Sequence, residues 1–98
     1  MISVEKLNRL EKSDNEYLID WHELNYNDRK IVIKIEDKLT AMNIEVVKID
    51  FIENYIYYSK YNEKIIINEI IKHYGSLPKW VIRKEDYIRM VKIREIIK

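Results

Sequence analysis

The stretch Asp28–Ser59, DRKIVIKIEDKLTAMNIEVVKIDFIENYIYYS, changes its hydrophobic period once, at Asn43. Before that residue, Ile31, Val32, Ile35, Leu39 and Met42 recur at the spacing of one helix face. Asn27 is placed to cap the first turn and Asn43 to stop the last in a left-handed conformation. The spacing predicts a helix over residues 28–42. Lys30 to Ile35 also alternates well enough for a strand, and isoleucine and valine favour strands. The inward set runs on through Leu39 and Met42, beyond the reach of a six-residue strand, and this favours the helix.

Beyond Asn43 the alternation is that of strands. A two-residue turn at Glu53 and Asn54 pairs Phe51 with Ile56, Ile49 with Tyr58 and Val47 with Lys60. Val47, Ile49, Phe51, Ile56 and Tyr58 then share a core face. Lys48, Asp50, Ile52, Tyr55, Tyr57 and Ser59 share a face turned towards water.

Upstream, Ser3 caps a short helix ending near Lys12, with Val4, Leu7 and Leu10 on one side. Ser13, Asp14, Asn15 and Glu16 have the spacing of a capping box, which predicts a second helix over residues 14–24 with Tyr17, Leu18, Trp21 and Leu24 inward. Downstream, Ser59 or Asn62 starts a helix whose wide apolar face is Ile66, Ile67, Ile70, Ile71 and Tyr74, closed by Gly75. Trp80 to Ile82 reads as a short strand. A last helix over residues 84–97 carries Tyr87, Ile88, Met90, Val91, Ile93, Ile96 and Ile97 on more than one side, which predicts a homodimer through this element. The expected architecture is α+β and mostly helical: three N-terminal helices, a β-hairpin and two C-terminal elements in a single domain.

Ninety-eight residues suffice to bury a core without staples. The absence of cysteine fits a reducing compartment, and the cytoplasm is expected. Apolar runs never exceed three residues, and the chain turns charged by Glu5, so neither a membrane helix nor a signal peptide is expected. The single glycine and single proline exclude glycine-rich phosphate loops. The abundance of isoleucine, lysine, tyrosine and asparagine matches AT-rich genomes, viral ones included.

Net charge is +1, yet residues 1–28 carry −4 and residues 79–98 carry +4. Such asymmetry fits an anionic partner for the basic end, or two ends that lie near each other. Lys30, Lys34 and Lys38 stand four apart on the predicted third helix, with Arg29 near its start, a basic row suited to phosphates or to plain solvation. On the outward hairpin face Lys48, Ile52, Tyr55 and Tyr57 are candidates for base stacking or a protein partner. Glu69 and His73 could form half of a metal site, but no His-Glu-x-x-His spacing completes it. A nuclease-like set of Glu36 and Asp50 lacks its next carboxylate, because the following strand reads Tyr57, Tyr58, Ser59, Lys60. No serine has a nucleophile context. The expectation is a binding protein without cofactor or metal, and not an enzyme.

Helix, three-residue connection, helix, strand, tight turn, strand resembles the winged helix-turn-helix DNA-binding domains over about half the chain, residues 14–59. The resemblance implies a recognition helix carrying Arg29, Lys30, Ile33, Lys34 and Asp37 against double-stranded DNA, with Glu53 and Asn54 as wing tip; the lysine row adds Lys38 to the candidate DNA contacts. The pattern departs at Tyr26, where a small residue is usual, at His22, where alanine is usual, in showing no strand between the first two helices, and in a short wing without arginine. Two functions remain: a small dimeric DNA-binding regulator, or a viral or mobile-element protein that binds a host protein complex in the host cytoplasm.

Overall fold

The computed structural model describes residues 3–52 and 54–97. Its sheet grows outward from Tyr17–Asp20, the strand β1, which pairs antiparallel on both sides. One neighbour is β3 (Tyr55–Tyr58), with Ile19 opposite Ile56. The other is β4 (Val81–Arg83), with Leu18 opposite Ile82. β2 (Lys48–Ile52) completes the order β2-β3-β1-β4. Four helices interleave with these strands: α1 (Val4–Lys12), α2 (Tyr26–Ala41), α3 (Lys60–Tyr74) and α4 (Lys84–Ile97), plus a 3-10 turn at Trp21–Glu23. The succession β1-α2-β2-β3-α3-β4 with that strand order is the split βαβ, or ferredoxin-like, arrangement. Because β1 runs with β2 and β3 with β4, each helix is a crossover between strands of one direction. The usual right-handed crossover sets both helices on one face of the sheet.

That face is closed by the larger core. Ile19, Ile56, Tyr58 and Val81 of the sheet meet Val32, Ile35 and Leu39 of α2 and Ile66, Ile67 and Ile70 of α3. The opposite face is covered by α1 and α4, whose Leu10, Tyr87 and Val91 pack on Leu18 and Tyr57. Five buried side chains at about 1.5–3 kcal/mol each are together as large as the whole net stability of about 5–15 kcal/mol that a domain keeps. The second layer is therefore integral to the fold.

Several local signals act as the residues dictate. Ser3 accepts from the Lys6 N–H and starts α1. Asn43 takes φ 63° after α2, and Gly75 takes φ 82° after α3, where its N–H reaches the Ile71 carbonyl at 2.7 Å. Lys30 to Ile35 is helical throughout. α2 begins two residues earlier than the spacing predicts, because Asn25 caps it through the Asp28 N–H at 2.8 Å. The last two elements match expectation closely, as a three-residue strand followed by a helix from Lys84.

The expected second helix is absent: residues 17–20 are a central strand and residues 21–23 a 3-10 turn. Ser13 belongs to the end of α1, its hydroxyl and N–H both donating to the Leu10 carbonyl at 2.7 and 3.1 Å, so it does not start a new helix. The next residues are drawn out by Glu63 of α3. Its carboxylate accepts from the Glu16 N–H at 3.0 Å, the Tyr17 N–H at 2.8 Å and the Asn15 side-chain amide at 3.3 Å. Asn15 also donates to the Tyr58 carbonyl. Leu18 and Ile19 are then both buried, one on each sheet face, the pattern of a strand covered twice and not of an amphipathic helix. The helices are thus interleaved with strands, not grouped at the N-terminus, and the helix preceding the recognition helix in the winged-helix layout is missing.

The hairpin also departs from expectation. Ile52 faces Tyr55 as a two-residue turn requires, and Asn54 takes φ 72°, while Glu53 lies outside the described residues. A bulge between Ile49 and Ile52 then shifts the register by one, setting Ile49 opposite Tyr57 and Lys48 opposite Tyr58. Lys48 consequently shares the α2 side of the sheet with Tyr58.

Candidate nucleic-acid interface

α2 buries Val32, Ile35, Glu36 and Leu39 against the sheet and leaves Lys30, Ile33, Lys34, Asp37 and Lys38 exposed. α3 runs alongside it in the opposite sense, tied at one end by the Tyr74 hydroxyl donating to Asp28 at 2.7 Å and at the other by Lys38 and Glu69 at 3.4 Å. Burial, and then the bond to Asp28 and its charge, push the Tyr74 hydroxyl pKa up. Between the helices lies a groove of about 540 Å³ with Ile31 and Ile35 at its floor and Lys34, Lys38, Lys72, His73 and Glu69 around it. Of the described residues lining it, Glu69 is the only acid. The groove is therefore net positive, and two of its lining residues, Lys72 and His73, come from a helix the sequence did not associate with the lysine row.

The other predicted phosphate contacts are placed differently. Lys30 remains exposed, its ammonium 4.6 Å from the centre of the Tyr26 ring. Ile33 lies exposed on the outer side of α2. Arg29 is spent on the 3-10 turn: its guanidinium donates to the Trp21 carbonyl at 3.1 Å and stacks 5.5 Å from the Trp21 ring. It is a positioning residue for the α2 entry and does not join the row.

The second candidate surface, on the hairpin, is not an outward face. Tyr57 is 2% exposed within the α1/α4 core, and Tyr55 is half-buried with its ring 4.7 Å from that of Tyr87. The polar alternation that suggested a wet face failed because tyrosine suits a covered sheet as well as an exposed one. Lys48 is turned to the other side, 3.0 Å from Glu36 and 6.0 Å from the Trp21 ring. Glu36 is 8% exposed and also accepts from the Tyr58 hydroxyl at 2.8 Å, so this carboxylate is paired twice. Burial, reinforced by Glu36, drives the Tyr58 hydroxyl pKa far upward. The side chain of Ile52 lies outside the described residues.

Among the described residues no three His, Asp or Glu side chains are grouped to hold a metal ion. No described helix is long and apolar enough to cross a membrane. No protein-family model matches the chain, and no curated protein or solved structure is significantly similar to it.

Proposed function

We propose that this is a small nucleic-acid-binding protein that holds the phosphate backbone on the α2–α3 side. The observation that carries the reading is the convergence of Lys34 and Lys38 with Lys72 and His73 across one groove that Glu69 only partly neutralises. Lysines act there as point charges, which position a backbone without reading bases. Sequence reading by a helix-turn-helix is not part of the proposal, because β1 occupies the residues of the first helix of that motif.

The test is charge reversal at Lys34 and Lys72 together, with reversal at Lys6 and Lys12 of α1 as a control of equal charge on the opposite layer. Loss of at least about tenfold in affinity is expected for the first pair only. Equal losses for both pairs would leave only net charge as the cause and refute the groove.

A self-association reading is favoured by one observation. Met90 and Ile93 of α4 are 42% and 49% exposed on the side away from Tyr87 and Val91. We retain a homodimer through α4 as part of the proposal, compatible with the α2–α3 groove because the two lie on opposite layers.

A further inference from the structure

Tyr26, Lys30, Lys34 and Lys38 form a single series at intervals of four residues. On a helix each such step advances about 6 Å and turns about 40°, so the series is a diagonal track of about 18 Å. It starts at the exposed beginning of α2 and ends in the groove beside Lys72. Tyr26, the one aromatic residue of α2, heads it with 71% of its surface exposed. Lys30 lies over the ring at 4.6 Å, so the aromatic and the first cation of the track form one unit.

We infer that this track binds single-stranded nucleic acid, with an unpaired base stacked on Tyr26 and the backbone following Lys30, Lys34 and Lys38 towards Lys72. The inference rests on the nucleic-acid reading above and adds the state of the strand. A basic track gives attraction to any phosphate chain, duplex or single. An exposed ring in line with that track adds affinity only for a base that is free to leave its stack, since the bases of a duplex already stack on one another. α2 is also unsuited to lie deep in a major groove, because α3 packs along its flank and the Tyr74–Asp28 hydrogen bond ties the two helices together. The apolar floor of Ile31 and Ile35 offers further room for a base edge next to Lys34. DNA and RNA single strands share this chemistry, so the sugar is an outcome of the experiment.

The experiment is fluorescence anisotropy of the full chain with labelled oligothymidylate, oligouridylate and a duplex. Each is about 15 nucleotides or base pairs, the upper end of usual single-strand site sizes. Wild type, Tyr26→Ala and Tyr26→Phe are compared at one salt concentration. At least one single strand is expected to bind ahead of the duplex, and the one bound more tightly assigns the sugar. Tyr26→Ala is expected to weaken single-strand binding by about 5- to 150-fold, the range for one stacked base, and to leave the duplex unchanged. Tyr26→Phe keeps the ring and the affinity. Tyr26 is exposed and the cap on α2 is Asn25, so the thermal melt of Tyr26→Ala should stay that of wild type. Preference for duplex, or a Tyr26→Ala variant that loses nothing or loses equally on both ligands, would overturn the inference while leaving the lysine groove standing. Absence of binding to all three probes would overturn the groove and the inference together.

Discussion

Replacing Glu63 with alanine should be the most damaging single polar change in this protein. The carboxylate is 4% exposed and sits in the first turn of α3, where the helix dipole favours negative charge. It receives the Glu16 and Tyr17 N–H groups and the Asn15 amide, and Lys60 approaches to 3.9 Å. Alanine leaves these donors facing an apolar methyl group at the entry to the central strand. A hydrogen bond to a charged group is worth about 1.5–3 kcal/mol, but the Lys60 pair is half exposed and the loop can admit water, so only two such bonds are counted and the loss is about 3–6 kcal/mol. For a domain this size that corresponds to a fall of at least about 12 °C in melting temperature. Glu63→Gln retains an acceptor for Tyr17 and should cost about 1 kcal/mol. Urea denaturation followed by circular dichroism measures both. A loss below about 1 kcal/mol for Glu63→Ala would refute the argument that this carboxylate draws residues 15–17 into the sheet.

Two further outcomes are expected. The Tyr58 hydroxyl is held protonated by burial and by Glu36, so its folded pKa lies above the unfolded value of about 10. Its contribution is complete below that pH and is lost as pH rises beyond it, with stability falling by up to about 1.4 kcal/mol per pH unit. Tyr58→Phe should reduce the alkaline slope to the part that Tyr74 contributes and cost about 1–2 kcal/mol at neutral pH, where Glu36 loses a donor; an unchanged alkaline profile in urea titrations would contradict it. For α4, light scattering should give twice the chain mass for wild type and a monomer for Met90→Lys with Ile93→Lys, and a wild-type monomer at high concentration would end the dimer reading.

The parts legible in the sequence are those set by local chemistry. The caps at Ser3, Asn43 and Gly75 and most of the inward sets of α2 and α3 act within a turn or two of chain, and periodicity reports them; Met42, 60% exposed past the end of α2, and Ile71, 38% exposed on α3, are expected inward and are not. β1 was illegible for the opposite reason. Its strand character comes from partners far along the chain: Glu63 at its entry, Ile56 on one side and Ile82 on the other. Ser13 to Glu16 is locally a good helix start, and tertiary pairing overrides it. A central strand buried on both faces also shows no alternation, so Tyr17 to Ile19 carried no period to contradict the capping box.

The same distinction applies to the interface. Lys30, Lys34 and Lys38 are visible as a row because they share one helix; Tyr26 joins their four-residue series only because the Asn25 cap starts α2 two residues before the expected helix. Lys72 and His73 were not, since only the packing of α3 against α2 brings them to Lys34. Arg29 looked like a member of the row, and only its bond to the Trp21 carbonyl removes it. For Tyr55 and Tyr57 the deciding fact is that α1 and α4, from opposite ends of the chain, close over the same sheet face.

The most direct test of the account is the salt dependence of nucleic-acid binding by the unmodified protein. Four lysines, Lys30, Lys34, Lys38 and Lys72, neutralising four phosphates predict a slope of log affinity on log salt of about −2.8 for a single strand, or about fiftyfold weaker binding at 200 mM than at 50 mM. A slope near zero, or no binding at the lower salt, would contradict the claim that this lysine surface grips a phosphate backbone.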